Sequence, residues 1–146
     1  MAALRSSLAW ATHHLFGAAA SVEASPTQHG LDVKYFEQEG HLASGPGLTA
    51  LGVLAFDLAA LRLAIADRAH LPGLWIHDAP RDGGPGPGSY DAYLDALLEL
   101  QHQAQQAFQF ILTTTDEPPA SLQNCLVPDL ELGSGDDQDL LLRRRF

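Results

Sequence analysis

The chain has 146 residues, 46% of them hydrophobic and 18% charged, with a net charge of −10. This is the length of one domain with enough apolar side chains for a core, which excludes disorder of the whole chain. The acidity excludes a free-standing nucleic-acid binder, since phosphate neutralisation needs a basic footprint, and the single cysteine, Cys125, excludes an internal disulfide and a cysteine-based zinc site.

Residues 2–16 contain helix formers without Gly or Pro, and Leu4, Leu8, Ala11 and Leu15 recur at helical spacing. The spacing predicts a helix within residues 1–20, the tail of a longer one and so the end of a coiled coil. No stretch reads as a membrane span, and the start of the chain reads as helix rather than signal peptide, so the expected location is the cytoplasm. Residues 20–23 and 31–38 read as strands joined by a turn at residues 26–30, with Leu31, Val33 and Tyr35 alternating with Asp32 and Lys34. A Gly/Pro loop, residues 43–47, leads into an apolar segment at residues 48–69, where Leu51, Leu54, Leu58, Leu61 and Ile65 share one face and Val53, Phe56, Ala60 and Ala64 cover much of the rest. Such all-round apolarity predicts a buried helix.

Leu74-Trp75-Ile76 reads as a fully buried strand ending in His77-Asp78. A Gly/Pro-rich loop follows at residues 81–88, then an amphipathic helix at residues 89–107 with Ser89 as N-cap, Tyr90, Tyr93, Leu94 and Leu97 inward, and Asp91, Asp95 and Glu99 outward. A second buried strand at residues 108–112 ends in Thr113-Thr114-Thr115. Two closing strands are expected at residues 126–132 and 140–145 around an acidic turn. Strands separated by helices imply a βαβ unit and parallel pairing, an α/β fold with a mixed or parallel sheet flanked by helices.

Three features carry chemistry, all at the ends of elements. Ser44-Gly45-Pro46-Gly47 precedes a helix, whose N-terminal N–H groups and positive dipole end attract an anion; an ordinary loop entering a helix gives the same pattern. Asp78 closes an apolar strand, where nucleotide-binding α/β proteins place a magnesium-associated carboxylate; capping of the following turn also explains it. The threonines after the second strand put hydroxyls at that edge.

In this order and spacing, the features resemble the C-terminal lobe of an ABC-type ATPase head of the structural-maintenance-of-chromosomes (SMC) and RecF class, a P-loop NTPase fold. Ser44-Gly45-Pro46-Gly47 matches the signature loop, Leu74 to Asp78 with Pro80 the Walker B strand, residues 83–89 the D-loop, and residues 109–115 the switch strand. The resemblance assigns residues 21–146 to this lobe. It implies ATP and Mg²⁺ as cofactors, with Asp78 holding the metal through a water, Ser44, Gly45 and Gly47 reaching the γ-phosphate on the opposite head, Arg81 acting on a phosphate in trans, and Thr115 at the switch position. It implies as partners an N-terminal P-loop lobe, in the same longer chain or a separate subunit, and a second head; DNA is handled by the full assembly, in repair, chromosome maintenance or phage defence.

The sequence departs from the pattern in four places. No Gly-x-x-x-x-Gly-Lys-Ser/Thr is present. Ala79 replaces the water-activating Glu, Thr115 the switch His, and Pro46 the second signature Gly. An isolated chain is therefore expected to be inactive, with His77 as the residue left to polarise a water. Two alternatives stand beside this reading: a hydrolysis-deficient interaction module that keeps the lobe fold for protein pairing, and an unrelated small α/β enzyme using His77 and Asp78. The Arg143-Arg144-Arg145 cluster, the acids Asp136, Asp137 and Asp139, and the pair His13-His14 read as solvated or structural groups.

Overall fold

The computed structural model describes residues 1–37, 40–66, 74–78, 86–104, 108–113 and 122. Its elements run α1 (Ala2–Phe16), β1 (Ser21–Thr27), β2 (Gly30–Phe36), α2 (Pro46–Ile65), β3 (Leu74–His77), α3 (Pro87–Gln103) and β4 (Gln109–Leu112). The three helices pack on one another, and their shared interior is the core: Leu8, Ala11 and Leu15 from α1, Leu54, Leu58 and Leu61 from α2, Tyr93, Leu94 and Leu100 from α3. Each fully buried leucine contributes about 1.5–3 kcal/mol by removal from water. The N-terminal helix is thus part of this core. Arg62 of α2 ties it down by lying over the Trp10 ring, 5.2 Å from its centroid.

β1 and β2 form an antiparallel hairpin with Ser21 opposite Phe36 and Thr27 opposite Gly30. β1 extends through Pro26, inside the segment expected to be the turn. In a two-stranded sheet every strand is an edge, and an edge tolerates a residue without an N–H. The hairpin reaches the helices through Tyr35, whose ring lies 3.0 Å from where a Cβ on Gly52 of α2 would stand; only glycine there lets the ring so close.

β3 and β4 pair in parallel, with Leu74 opposite Gln109 and His77 opposite Leu112, connected through α3. This is the expected βαβ unit, and the chain is mixed α/β with two small sheets among the described residues. The expectation of fully buried strands does not hold. Trp75, His77, Phe110 and Leu112 are partly covered, whereas Leu74, Ile76 and Ile111 are exposed, Ile76 by 61%. One face of the pair meets the core and the other is bare.

The starts of both long helices differ from expectation for one reason. α2 begins at Pro46 rather than residue 48, and α3 at Pro87 rather than at a Ser89 cap. Each has Gly at the N-cap and Pro at the first helical position, where a missing N–H costs nothing and a fixed φ suits the helix. α2 also overturns two sequence expectations. Its outward face leaves Val53 and Phe56 exposed, so it is buried on one side only. At 20 residues with mean hydropathy 1.9 it has the length and composition of a membrane span, although its packed leucines explain the same apolarity as core.

Candidate functional site

The segment after β2 folds back on that strand before entering α2. The Ala43 N–H donates to the Tyr35 carbonyl at 2.8 Å, and Leu42 bridges to Phe36. This fixes where Ser44-Gly45-Pro46-Gly47 emerges. Gly45 takes φ +103°, a region that favours glycine, and its carbonyl accepts both the N–H and the hydroxyl of Thr49 at 2.9 Å. Ser44, Gly45, Gly47 and Leu51 then face Gly86 and Ser89 at the start of α3 across an open cleft of about 240 Å³. Two helix N-termini converge on this cleft. Neither has a side-chain cap nor an acidic residue in its first turn. First-turn N–H groups have no acceptor within their own helix, so together with the dipole they favour an anion.

A second grouping lies at the carboxyl ends of the parallel strands, the edge at which open α/β sheets bind ligands. Asp78 follows β3 directly and Thr113 follows β4. The Thr113 hydroxyl donates to Asp78 Oδ1 at 2.5 Å, and the Thr113 N–H donates to the His77 carbonyl at 3.1 Å. Both side chains are accessible enough to meet a ligand. Among the described residues no group of three metal-ligating side chains gathers. Asp78 offers one carboxylate at this edge, with Oδ1 engaged by Thr113.

His77 points the other way, into the core. Its Nε2 lies 3.1 Å from Asp57 Oδ2, and its Nδ1 pairs with the Tyr93 hydroxyl. The carboxylate only accepts, so Nε2 carries the proton, and Nδ1 accepts from the phenol. Both ring nitrogens are thus engaged, and the His77 side chain is only 12% exposed. The geometry makes it a bridge between α2, β3 and α3, with neither nitrogen left for a water. Tyr93 is fully buried, and burial together with the charge of Asp57 pushes its phenol well above the ordinary range. Desolvation and the same carboxylate raise Tyr35. A phenol held protonated and covered serves as a donor to His77 and not as a nucleophile, which weighs against a small enzyme built on His77.

Of the residues singled out in the sequence, Ser44, Gly45 and Gly47 line one cleft and Asp78 meets Thr113, whereas His77, expected to polarise a water, turns into the core with both nitrogens engaged. Sequence reading missed Asp57, Tyr93 as a polar partner, and Gly86. One signal was available: Asp57 is the only charged residue between Leu48 and Leu61, and a charge amid an apolar helix demands a partner. Arg81, Ala79, Pro80 and Thr115, the closing strands at residues 126–132 and 140–145, and Cys125 lie outside the described residues. Comparison with protein-family models finds no match, and comparison with curated proteins finds none.

Proposed function

We propose that the chain is the C-terminal lobe of an SMC/RecF-like ATPase head, which completes a nucleotide site with a P-loop lobe and a second head and couples it to DNA handling. The observation that supports this reading is the ordered geometry: an uncapped Ser-Gly-Pro-Gly loop opening a long helix, then a strand, a helix and a parallel strand, with Asp78 and Thr113 joined at the carboxyl edge. In that role the loop offers first-turn N–H groups to a phosphate on the opposite head, and Asp78 holds a water of the metal. ATP and Mg²⁺, once bound by the P-loop lobe, supply the phosphoryl group and the charge that neutralises it. The bare face of β3–β4 fits as well, because parallel strands are covered on both faces in complete folds. A net charge of −10 leaves DNA contact to other parts of the assembly.

The interaction-module reading keeps the same partners without hydrolysis, and Ala79 and Thr115 favour it. One experiment addresses both. The purified chain is titrated with fluorescent ATP, alone and with the P-loop lobe encoded upstream or beside it. Binding by the two together, with ATP-dependent pairing of heads that Ser44→Arg abolishes, is the expected result. Turnover then separates an ATPase from a pairing module. Appreciable hydrolysis by the chain alone, or head pairing indifferent to Ser44→Arg, sinks both readings.

A further inference from the structure

The residue before Asp78 is held by more elements than a strand end requires. Besides Asp57 of α2 and Tyr93 of α3, the His77 ring stacks on the Tyr93 ring with centroids 5.8 Å apart and meets Phe110 of β4 edge-on at 5.0 Å. Its carbonyl accepts from Thr113, whose hydroxyl grips the neighbouring Asp78. Four elements therefore meet at one residue beside the carboxylate. Asp57 stands on α2, and the Ser44–Gly47 loop lies at the start of the same unbroken helix, about 18 Å away by the 1.5 Å rise per residue. A close-packed helix transmits strain along its length, so α2 is a continuous path from its first turn to Asp57.

We propose that Asp57 and Tyr93 are positioning residues. Acting through His77, they lock Asp78 and Thr113 to the loop-bearing helix, so that a displacement of the Ser44–Gly47 loop is delivered to the carboxyl edge of β3–β4. The consequence for nucleotide chemistry rests on the function proposed above: the phosphate-facing loop and the metal-side carboxylate of one lobe respond together. The mechanical link itself stands independently of that function. Hydrogen bonds that only stabilised the core would lower stability when broken and leave the coupling between loop and edge unchanged.

The test is a mutant cycle read by amide NMR on the 146-residue chain. Gly45→Ala displaces the loop, because φ +103° strains any L side chain; Pro46→Gly, which loosens the first turn, is a second, milder displacement. Either change is expected to shift the amide signals of Asp78 and Thr113. In an Asp57→Leu background the same change moves the loop signals and leaves Asp78 and Thr113 in place, and in Tyr93→Phe, which releases the Nδ1 side of the ring, their response weakens. Asp57→Asn, whose amide oxygen accepts the same bond, restores the response. A dispersed amide spectrum and a cooperative urea transition establish that each variant is folded, and Tyr93→Phe serves if Asp57→Leu is not. An equal response at Asp78 and Thr113 with and without the Asp57–His77–Tyr93 bonds overturns the proposal, as does no response in the parent chain. If the coupling is present and the complete head binds no ATP, the proposed function fails and the link remains.

Discussion

His14 and His77 each join elements of this chain, and their surroundings differ in one respect. His14, in the last turn of α1, directs Nδ1 at the Trp10 carbonyl at 2.9 Å and Nε2 at the Glu99 carboxylate of α3 at 3.1 Å. Both partners only accept, so both contacts are hydrogen bonds only when the ring carries two protons. His77 faces one acceptor, Asp57, and one hydroxyl, Tyr93, so every donor and acceptor is matched on a neutral ring. The side chains of His14 and Glu99 are 31% and 42% exposed, and those of His77 and Asp57 are 12% and 26%. The difference teaches that the covered junction is closed by the hydroxyl of a buried tyrosine, whereas the wet one ends on a solvent-exposed carboxylate. A low dielectric favours the first, since unmatched charge is expensive there.

The largest expected effect breaks the buried junction by volume. Tyr93→Ala removes a fully buried ring and costs about 3–5 kcal/mol, as aromatic truncations in cores do. Tyr93→Phe keeps the ring, removes only the donor to Nδ1, and costs about 1 kcal/mol. Urea denaturation of both variants measures the gap, and equal losses would mean that the hydroxyl, rather than the packing, dominates. Next comes Asp57→Leu, which leaves the Nε2–H of a mostly covered imidazole without its acceptor, at about 1–3 kcal/mol.

The same burial predicts an alkaline weakness. Desolvation first, and then the charge of Asp57, raise the phenols of Tyr35 and Tyr93, so folding favours their protonated forms. The stability this gives is fully present below the unfolded tyrosine value of about 10 and is lost as pH rises above it. Titration followed at the tyrosinate absorbance, with circular dichroism alongside, should show Tyr35 and Tyr93 ionising only as the helices melt. Ionisation of either in a folded chain would contradict the burial. In Tyr35→Phe and Tyr93→Phe the fall in stability above that pH becomes shallower.

Much of this architecture is legible in the sequence. The apolar runs around Leu58, Ile76 and Ile111, the last two separated by an amphipathic stretch, give helix, strand, helix and strand, and the parallel pairing of β3 and β4 follows from their order. Helix starts were less legible, because Ser89 is the better cap by side chain while the backbone uses the Gly86-Pro87 pair. The exposure of Leu74 and Ile76 was unreadable: an apolar run looks the same whether a sheet face is covered by its own chain or left bare. The loop and Asp78 stood out because Gly, Pro and a strand-end acid are local signals. Asp57 and Tyr93 did not, because their meeting at His77 depends on the packing of α2 and α3 about β3, which no local spacing encodes.

The smallest effect belongs to the wet junction and sharpens the contrast. Glu99 also accepts from Gln103 Nε2 at 2.7 Å, so its removal frees two donors, both of which reach water. Glu99→Ala should therefore cost less than about 1 kcal/mol, within the range of exposed ion pairs. The two junctions should differ in their response to ionic strength. Near 1 M salt, where the screening length falls to about 3 Å, the cost of Glu99→Ala should shrink towards the helix propensity difference, which favours alanine. The cost of Asp57→Leu should persist, because what it removes is a matched hydrogen bond in a covered site and not an attraction through solvent. Denaturation of the two variants with urea, in low and high salt, makes the comparison without changing the denaturant's own charge. A Glu99→Ala cost that survives salt would place His14 in the same class as His77, held by geometry, and would make α1 a more firmly latched part of the core than its exposed bridge suggests.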